Sequence, residues 1–215
     1  MDAGRGWFVT LEGGEGVGKS TQAARLERAL RARGLDVVRT REPGGSPGAE
    51  VLREMLLSGR VDWAPLAETM LHFAARAEHV ARLIRPALDA GRVVVCDRFT
   101  DSTLAYQGFG QGADLATIRA LGGMLGVVPD RTVVLHASAE TQRARLASRQ
   151  AAAGGDGEPD RYERLGAAFH ARVAAGFRAI AEAEPGRCVL VSAEGTADEV
   201  EARIVEVLRF GDNTQ

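Results

Sequence analysis

The feature that most constrains this chain is a glycine-rich loop at Gly13–Thr21, with the sequence GGEGVGKST. Residues 13 to 20 match the spacing G-x-x-x-x-G-K-[ST]. An apolar run at Trp7–Leu11 precedes the loop, and a segment of helical periodicity follows it. Glycines let backbone N–H groups point inward at phosphate oxygens, and the N-terminus of the following helix adds positive charge. The loop therefore predicts a site for a nucleoside triphosphate.

Lys19 within this loop is the only lysine among the 27 basic residues of the chain. A lysine ammonium is a compact charge on a long stem, so it can reach terminal phosphates. The planar fork of an arginine is bulkier and demands a defined geometry. We expect the whole loop to bind ATP: Gly13, Gly14, Glu15, Gly16, Val17, Gly18, Lys19, Ser20 and Thr21.

A magnesium site is expected beside the loop. The Ser20 hydroxyl is a candidate Mg²⁺ ligand, and Asp97, which ends the apolar run Arg92–Asp97, is a candidate Walker-B type carboxylate. The alternative for Asp97 is a cap on the helix that follows it. The presence of the glycine loop favours the metal role.

The composition narrows the class of protein further. At 215 residues, with 45% hydrophobic residues, the chain fits one domain. The net charge of −2 gives no global basic field, so no nucleic-acid partner is expected. Cys96 and Cys188 lack CxxC spacing and are interpreted as reduced, packed thiols. The sequence has neither an apolar run of membrane-spanning length nor a secretory signal, so we expect a cytoplasmic enzyme or switch without a membrane partner.

Apolar strands alternate with helical segments along the chain, which predicts an α/β architecture with parallel strand pairing. The predicted strands are Trp7–Leu11, Leu35–Thr40, Arg92–Asp97, Arg131–Ala137 and Arg187–Ala193. The predicted helices include Lys19–Arg33, Pro47–Leu57, Pro65–Ala90, Asp114–Leu125 and Arg161–Ala183. A small, polar, glycine-rich stretch at Gln150–Asp160 is interpreted as a mobile loop.

Three further motifs, TREPGGSPGAEVLREMLL, FAARAEH and CDRFTDSTLAYQG, accompany LEGGEGVGKST. With them the chain resembles the bacterial thymidylate kinases over nearly its whole length. The resemblance implies transfer of the γ-phosphoryl group of ATP to dTMP, giving dTDP and ADP in dTTP biosynthesis, with Mg²⁺ and in a homodimer. It also implies a three-layer P-loop kinase fold in one domain, 1–215, with a parallel five-stranded sheet flanked by helices and a flexible lid at about 148–161.

The resemblance assigns the acceptor side to arginines and an amide. Arg98 matches the family arginine that holds the acceptor phosphate, and a guanidinium suits a phosphate because it binds bidentately. Arg53 and Arg41 are similar to other arginines of that pocket; the alternative is that they are solvated charges. Gln107 matches the residue that reads the thymine edge, because an amide can donate and accept at once. Thr103 lies one helical turn earlier in the sequence.

Aromatic and basic residues of the long middle helix complete the expected nucleoside site. Arg76 matches the arginine that meets thymine O4. Many relatives place an aromatic residue four positions before it; here that position is His72, while Phe73 lies three before, and we take Phe73 as the stacking ring. Tyr106 matches the ring that disfavours a ribose 2′-hydroxyl; the alternative is that it is a core tyrosine. His79 is interpreted as a surface or packing histidine.

Catalytic charges are expected at both ends of the site. Glu15 matches an acidic residue that approaches the acceptor 3′-hydroxyl and the hydrated metal. Some relatives have a catalytic arginine where this chain has Gly16, so the resemblance implies that the lid supplies the arginine instead. Arg145, Arg149 and Arg161 flank the lid segment, and we take Arg149 and Arg161 as catalytic together with Lys19, Glu15 and Arg98.

Two other functions remain open at this stage. A deoxynucleoside kinase would need a carboxylate base, for which Glu42 in the REP motif is available. A nucleotide-dependent switch would hydrolyse its nucleotide slowly without any small-molecule acceptor. The acceptor-side arginines and the AYQG motif favour the monophosphate kinase over both.

Overall fold

A parallel five-stranded sheet forms the centre of the fold, as the sequence predicts. The computed structural model describes residues 5–152, 161–162 and 164–208. The strands are β1 Phe8–Glu12, β2 Val37–Arg41, β3 Val93–Asp97, β4 Arg131–His136 and β5 Cys188–Ser192. They are ordered β2-β3-β1-β4-β5, and every neighbouring pair is parallel. The predicted α/β class with parallel pairing is therefore confirmed.

Helices connect the strands and lie on both faces of the sheet. Those of the described residues are α1 Lys19–Ala32, α2 Pro47–Leu57, α3 Pro65–His79, α4 Arg85–Asp89, α5 Thr100–Thr103, α6 Leu115–Met124, α7 Ala139–Ala152, α8 Ala167–Ala183 and α9 Ala197–Leu208. In the described part of the chain, no helix combines the length and apolar character needed to cross a bilayer.

Alternating strand residues build two separate hydrophobic cores. Phe8 and Val94 pack into one core with residues of α3 and α8, whereas Val9 and Val95 face the other core, which includes residues of α1 and α9. All five residues of β1 are buried. Both faces of the sheet are covered, so the inner strands β1 and β3 are buried along their whole length, whereas the edge strand β2 is fully buried only at Val37. The molecule has three layers.

Two π-helical segments interrupt the helices around the site. Val80–Ile84 joins α3 to α4, and Leu104–Gly110 follows α5. The first has a local cause: Pro86 lacks the N–H that would continue the α-helical ladder, and the Arg85 N–H instead bonds to the oxygen of Val80. The helix predicted over Pro65–Ala90 is therefore confirmed from Pro65 to Asp89, with a π-helical segment inside it.

The segment around the predicted lid differs from expectation at both ends. Helix α7 runs to Ala152, so residues 150–152 are helical, and residues 153–160 lie outside the described residues. The helix predicted over Arg161–Ala183 begins only at Ala167, after Gly166 as N-cap. Arg161 and Tyr162 belong to a turn. The Tyr162 side chain is buried, and its hydroxyl lies beside His72 of α3.

Candidate active site

A cavity lies at the carboxyl ends of β1 and β3, where parallel sheets of this kind bind ligands. Its volume is about 660 cubic ångströms. The glycine loop forms one end of the cavity together with residues of α7 and the start of α9. Residues of α2, α3 and the π-helical segment after α5 form the other end. Most of the sequence-predicted donor and acceptor residues therefore meet in one cavity; the exceptions, which do not line it, are Gly13, Gly14, Phe73 and Arg161.

The glycine loop needs glycine because other backbone approaches it closely. Gly13 has φ +132°, and a Cβ there would collide with the backbone oxygen of Leu135. Gly16 has φ +74°, and its Cβ would lie 2.6 Å from the backbone oxygen of Gln142 on α7. A side chain at residue 16, such as the arginine of some relatives, is thus excluded in this conformation.

Lys19 folds back over the loop that precedes it. Its Nζ donates to the backbone oxygen of Gly14 at 2.7 Å. Burial and the neighbouring Arg98 guanidinium lower the pKa of Lys19 to about 8, although the carboxylates of Glu15 and Asp97 oppose that shift. The ammonium is therefore held by a backbone carbonyl and lies near carboxylates, at the place where phosphates are expected.

Arg98 joins the loop to the acceptor end of the cavity. Among the described residues it is the only non-glycine with positive φ, at 72°. Its Nη2 donates to Oε1 of Glu15 at 2.5 Å and lies 3.2 Å from the Tyr106 hydroxyl, while Nη1 donates to Oγ of Ser102 and to the oxygen of Gly13, both at 3.2 Å. Burial alone would raise the pKa of Glu15, but Arg98 and then Lys19 lower it to about 2. Glu15 is therefore an anion.

Ser20 and Asp97 meet as the magnesium prediction requires. The Ser20 hydroxyl donates to Oδ2 of Asp97 at 2.5 Å, while Oδ1 of Asp97 is buried and has no hydrogen-bond partner among the described residues. No group of three or more His, Cys, Asp or Glu side chains gathers as a metal site in that part of the chain. One carboxylate and one hydroxyl fit Mg²⁺, which usually keeps waters and substrate phosphates as its other ligands.

Arg76 is held by a buried polar network. Its Nε donates to Oε2 of Glu42 at 2.6 Å, its Nη1 to Oγ1 of Thr103 at 3.1 Å and its Nη2 to the oxygen of Phe99 at 3.0 Å. The other oxygen of Glu42 lies 3.0 Å from Nδ1 of His79. Both oxygens of Glu42 are engaged, so the carboxylate is not free to act as a base.

His79 corrects an expectation of the sequence. It is fully buried, and its Nε2 lies 2.8 Å from Oγ1 of Thr40. The surface interpretation is wrong, and the packing interpretation is confirmed: His79 ties the end of α3 to β2 and to Glu42. No spacing signal in the sequence marks a lone histidine for this role.

The two remaining acceptor-side arginines differ in exposure. Arg53 lines the cavity, and its Nη1 donates to the oxygen of Pro43 at 2.6 Å. Arg41 also lines the cavity but is about half exposed and pairs with Glu50 at 3.1 Å. Both therefore border the predicted site, Arg53 as a positioned side chain and Arg41 at its rim.

Gln107 lies on the cavity wall within a cluster that the sequence did not suggest. Its Nε2 donates to Oε1 of Glu68 at 2.8 Å and to the Tyr162 hydroxyl at 3.1 Å. Nε2 of His72 lies 2.8 Å from the same hydroxyl. Glu68 and Tyr162 escaped the sequence analysis because a single carboxylate on a helix resembles a solvated charge, and Tyr162 belongs to no recognised motif.

His72, and not Phe73, lines the cavity. Phe73 packs in the core below it, where the Arg76 guanidinium covers its ring at 4.8 Å. The structure therefore corrects the expectation that Phe73 faces the base: His72 is the ring at the cavity wall. Burial and the nearby arginines, Arg76 first, lower the pKa of His72 to about 3, so its imidazole is neutral.

The three candidate lid arginines occupy different places. Arg145 and Arg149 lie on α7 and line the cavity. Arg145 donates to the backbone oxygens of Ala193 and Gly195 at 2.8 and 3.1 Å. Arg161 lies outside the lining and pairs with Glu68 and, at 3.2 Å, with Asp62. The structure thus brings Arg149 to the glycine loop and Arg161 to the opposite end.

Comparisons with known proteins agree with this geometry. The family model described as Thymidylate kinase matches residues 11–204. A thymidylate kinase of Rhizorhabdus wittichii is 55% identical, covering 94% of this chain and 97% of that protein. One from Caulobacter vibrioides is 48% identical over 95% of this chain and 96% of its own. The crystal structure of thymidylate kinase from Ehrlichia chaffeensis superposes with a TM-score of 0.74 at 32% identity, covering 95% of this chain and 98% of that one.

Proposed function

The chain belongs to the thymidylate kinase family, whose reaction is the ATP-dependent phosphorylation of dTMP to dTDP for dTTP synthesis, and from that premise we propose how its cavity is divided. ATP occupies the end built by Gly13–Thr21, with Arg145 beside its base. The nucleoside of dTMP lies between α3 and the segment Leu104–Gly110. The observation that carries this division is the position of Arg98, which contacts Glu15 on one side and Tyr106 on the other.

The acceptor in this reaction is already a phosphate anion, so no strong general base is needed. Catalysis consists of bringing two polyanions into line and stabilising the charge that spreads over the moving phosphoryl group. Lys19 acts on the phosphates of ATP, and Arg98 holds the phosphate of dTMP. Arg149 adds charge from α7, and it is near enough to Glu15 to contribute to the lowering of that pKa.

A magnesium ion is part of this proposal, and Ser20 and Asp97 would hold it. The unpartnered Oδ1 of Asp97 supports this assignment, because a buried carboxylate oxygen without a donor favours a cation. When bound, Mg²⁺ neutralises charge on the ATP phosphates. The Ser20 hydroxyl, which now donates to Asp97, would turn its lone pairs to the ion.

Glu15, Tyr106 and the base-site residues orient the acceptor. The Glu15 carboxylate accepts from the Tyr106 hydroxyl at 2.8 Å and remains ionised, so it can accept a hydrogen bond from the 3′-hydroxyl of dTMP. Arg76 and Gln107 meet the pyrimidine edge, with Thr103 beside them and Arg53 near the phosphate. We place the ring of His72 against the base in place of Phe73. Arg161 is held by Glu68 at the far end of the nucleoside, and its catalytic role stays a prediction.

A homodimer is the remaining part of the proposal. Helices α2 and α3 expose four apolar side chains: Val51 at 59%, Met55 at 44%, Leu66 at 51% and Met70 at 52%. The inner sides of the same helices carry Arg53 and Arg76. We place a second copy of the chain on this exposed face, which is the assembly that the family resemblance implies. Met70→Glu should lower the mass measured by light scattering to that of a monomer, while Val128→Glu, at an exposed position outside these helices, should leave it unchanged.

An ADP-release assay with ATP and Mg²⁺ tests the division of the cavity. The acceptors compared are dTMP, dUMP, dCMP, dGMP, dAMP and thymidine, with Lys19→Ala as the control of low activity. We expect rapid turnover with dTMP alone or with dTMP and dUMP. Turnover with thymidine but not dTMP would favour a deoxynucleoside kinase, and acceptor-independent slow hydrolysis would favour a switch. The single domain 1–215, its lid at 148–161 and its cytoplasmic location stay predictions.

A further inference from the structure

Glu68 is a fully buried carboxylate on α3 that the mechanism above does not use for any chemical step. Its Oε2 pairs with Nη1 of Arg161. Its Oε1 accepts three hydrogen bonds: 2.8 Å from Nε2 of Gln107, 2.7 Å from the Tyr162 hydroxyl and 3.0 Å from Nε2 of Gln111. A buried charge is tolerated only when it is paired and hydrogen-bonded, and Glu68 fulfils both conditions. Both of its oxygens therefore accept, one from a guanidinium and the other from three donors.

The donors around Glu68 can be assigned hydrogen by hydrogen. The Tyr162 hydroxyl has one proton, which it donates to Glu68. Its oxygen can then only accept, and it does so from Nε2 of Gln107 at 3.1 Å and from Nε2 of His72 at 2.8 Å. His72 is neutral, so this contact selects the tautomer with the proton on Nε2.

The same accounting fixes which atom of Gln107 remains for a ligand. A side-chain amide has two N–H groups and one oxygen. Both N–H groups of Gln107 are used, one by Glu68 and one by Tyr162. The amide cannot flip, because its oxygen would then face the carboxylate of Glu68. Of its polar atoms, only Oε1 is left for the cavity that Gln107 lines.

We propose that Glu68 is a positioning residue that determines base specificity by holding Gln107 as a pure acceptor toward the pyrimidine. Thymine and uracil carry N3–H, which can donate to Oε1 of Gln107. Cytosine carries a lone pair at N3, which would face that oxygen without a proton between them. Rejection of cytosine would therefore depend in part on Glu68, which holds Gln107 but does not itself touch the base. The sequence-based expectation that the Gln107 amide both donates and accepts is replaced by this one. The inference rests on the proposed placement of the pyrimidine edge at Gln107.

The test compares kcat/KM for dTMP with kcat/KM for dCMP. In Glu68→Gln the residue at position 68 gains its own N–H groups, so the Gln107 amide is free to turn its nitrogen toward the base. We expect the dTMP to dCMP ratio to fall about tenfold or more, since a site built around one hydrogen-bond pattern loses discrimination when the pattern can invert. Gln111→Met removes another donor to the same oxygen of Glu68 but leaves Gln107 in place, and it should keep the ratio within about threefold.

A charge-swapped pair separates hydrogen-bond polarity from packing. Gln107→Glu alone opposes two buried carboxylates and should lose dTMP activity. The double variant Glu68→Gln with Gln107→Glu reverses the hydrogen bond between the two residues, with the donor now at 68, but keeps an acceptor at 107 toward the base. It should therefore recover selectivity for dTMP over dCMP relative to either single change. Thermal unfolding of each variant shows whether it is folded. If Glu68→Gln does not fold, the comparison of the double variant with Gln107→Glu still decides the question.

The outcomes distinguish this inference from the placement on which it rests. If Gln107→Met leaves the dTMP to dCMP ratio unchanged, Gln107 does not read the base and the placement fails. If Gln107→Met collapses the ratio while Glu68→Gln keeps it, the placement stands and the role of Glu68 is overturned. Failure of the double variant to exceed Gln107→Glu in selectivity would also overturn the role of Glu68.

Discussion

The Arg98 guanidinium pairs with the Glu15 carboxylate at 2.5 Å, and this contact joins the glycine loop to the segment that follows β3. Each partner is largely buried, with 16% and 14% of its side chain exposed. The left-handed backbone of Arg98 is what turns its side chain toward the loop. One ion pair thus fixes the distance between the two ends of the cavity, which we propose bind ATP and dTMP.

Replacement of Arg98 should damage the acceptor side selectively. We expect Arg98→Ala to lower kcat/KM for dTMP by about a hundredfold or more, because a charge-assisted, bidentate phosphate contact is lost. The KM for ATP should change by less than about threefold. Arg92→Ala, which removes a partly exposed arginine paired with Asp36 at the opposite end of β3 from the cavity, is the control and should leave both values unchanged. An equal loss in the use of ATP and dTMP would contradict the assignment.

The pKa of Lys19 predicts a falling limb in the pH profile. Since burial and Arg98 lower that pKa to about 8, the free enzyme loses the Lys19 charge as pH rises through about 8. Because kcat/KM for ATP reports groups of the free enzyme, it should decline over that range. Glu15→Gln removes a carboxylate that favours the charged lysine, so the limb should move to lower pH. A profile that is flat between pH 7 and 9 would contradict this prediction, and Lys19→Ala should lack the limb and have a kcat lower by about a hundredfold.

Two glycines with similar φ angles, Gly16 and Gly34, test the contact between the glycine loop and α7. Gly16 has φ +74° and Gly34 has φ +82°, but a Cβ at Gly34 would meet nothing within 4 Å. Alanine at either site costs about 1 kcal/mol in backbone strain. Gly16→Ala must in addition displace the backbone of Gln142, so it should cost about 1–3 kcal/mol more and raise the KM for ATP. Equal denaturation midpoints for the two variants would contradict the contact.

The fold and the donor end of the site could be predicted because their signals are local. The spacing from Gly13 to Ser20 predicts both the turn and the phosphate contacts. Strands that are buried on both faces are visible in the sequence as apolar runs. Asp97 could be paired with Ser20 because the carboxyl ends of neighbouring parallel strands meet at one edge of the sheet. The predicted start of β2 at Leu35 is wrong, because Leu35 is apolar yet 39% exposed and the strand begins at Val37.

The acceptor end was predicted only through the family resemblance, and its supporting residues were missed. Glu68 and His79 are single polar residues on a helix, and nothing in their spacing distinguishes a buried hydrogen-bond partner from a solvated one. Tyr162 contacts His72 of α3 from a turn that lies 90 residues further along the chain. The π-helical segment that contains Gln107 changes which side chains face inward. These are tertiary effects, which local propensity does not encode.

The buried Glu12 at the end of β1 gives a prediction about stability. Burial, and then the neighbouring Asp101, raise its pKa to about 8, against the opposing effect of hydrogen bonds from Ser102 and Phe99. A carboxyl group with a raised pKa in the folded state stabilises fully below its unfolded pKa of about 4.5 and loses that contribution as pH rises toward 8. Glu12→Gln cannot ionise, so the free energy of unfolding of this variant, relative to the wild type, should increase from pH 5 to pH 8 in urea denaturation. Glu54→Gln, which removes an exposed carboxylate, should show no such trend. A difference between Glu12→Gln and wild type that is constant over this range would mean that Glu12 is ionised throughout, with its charge balanced by Arg98.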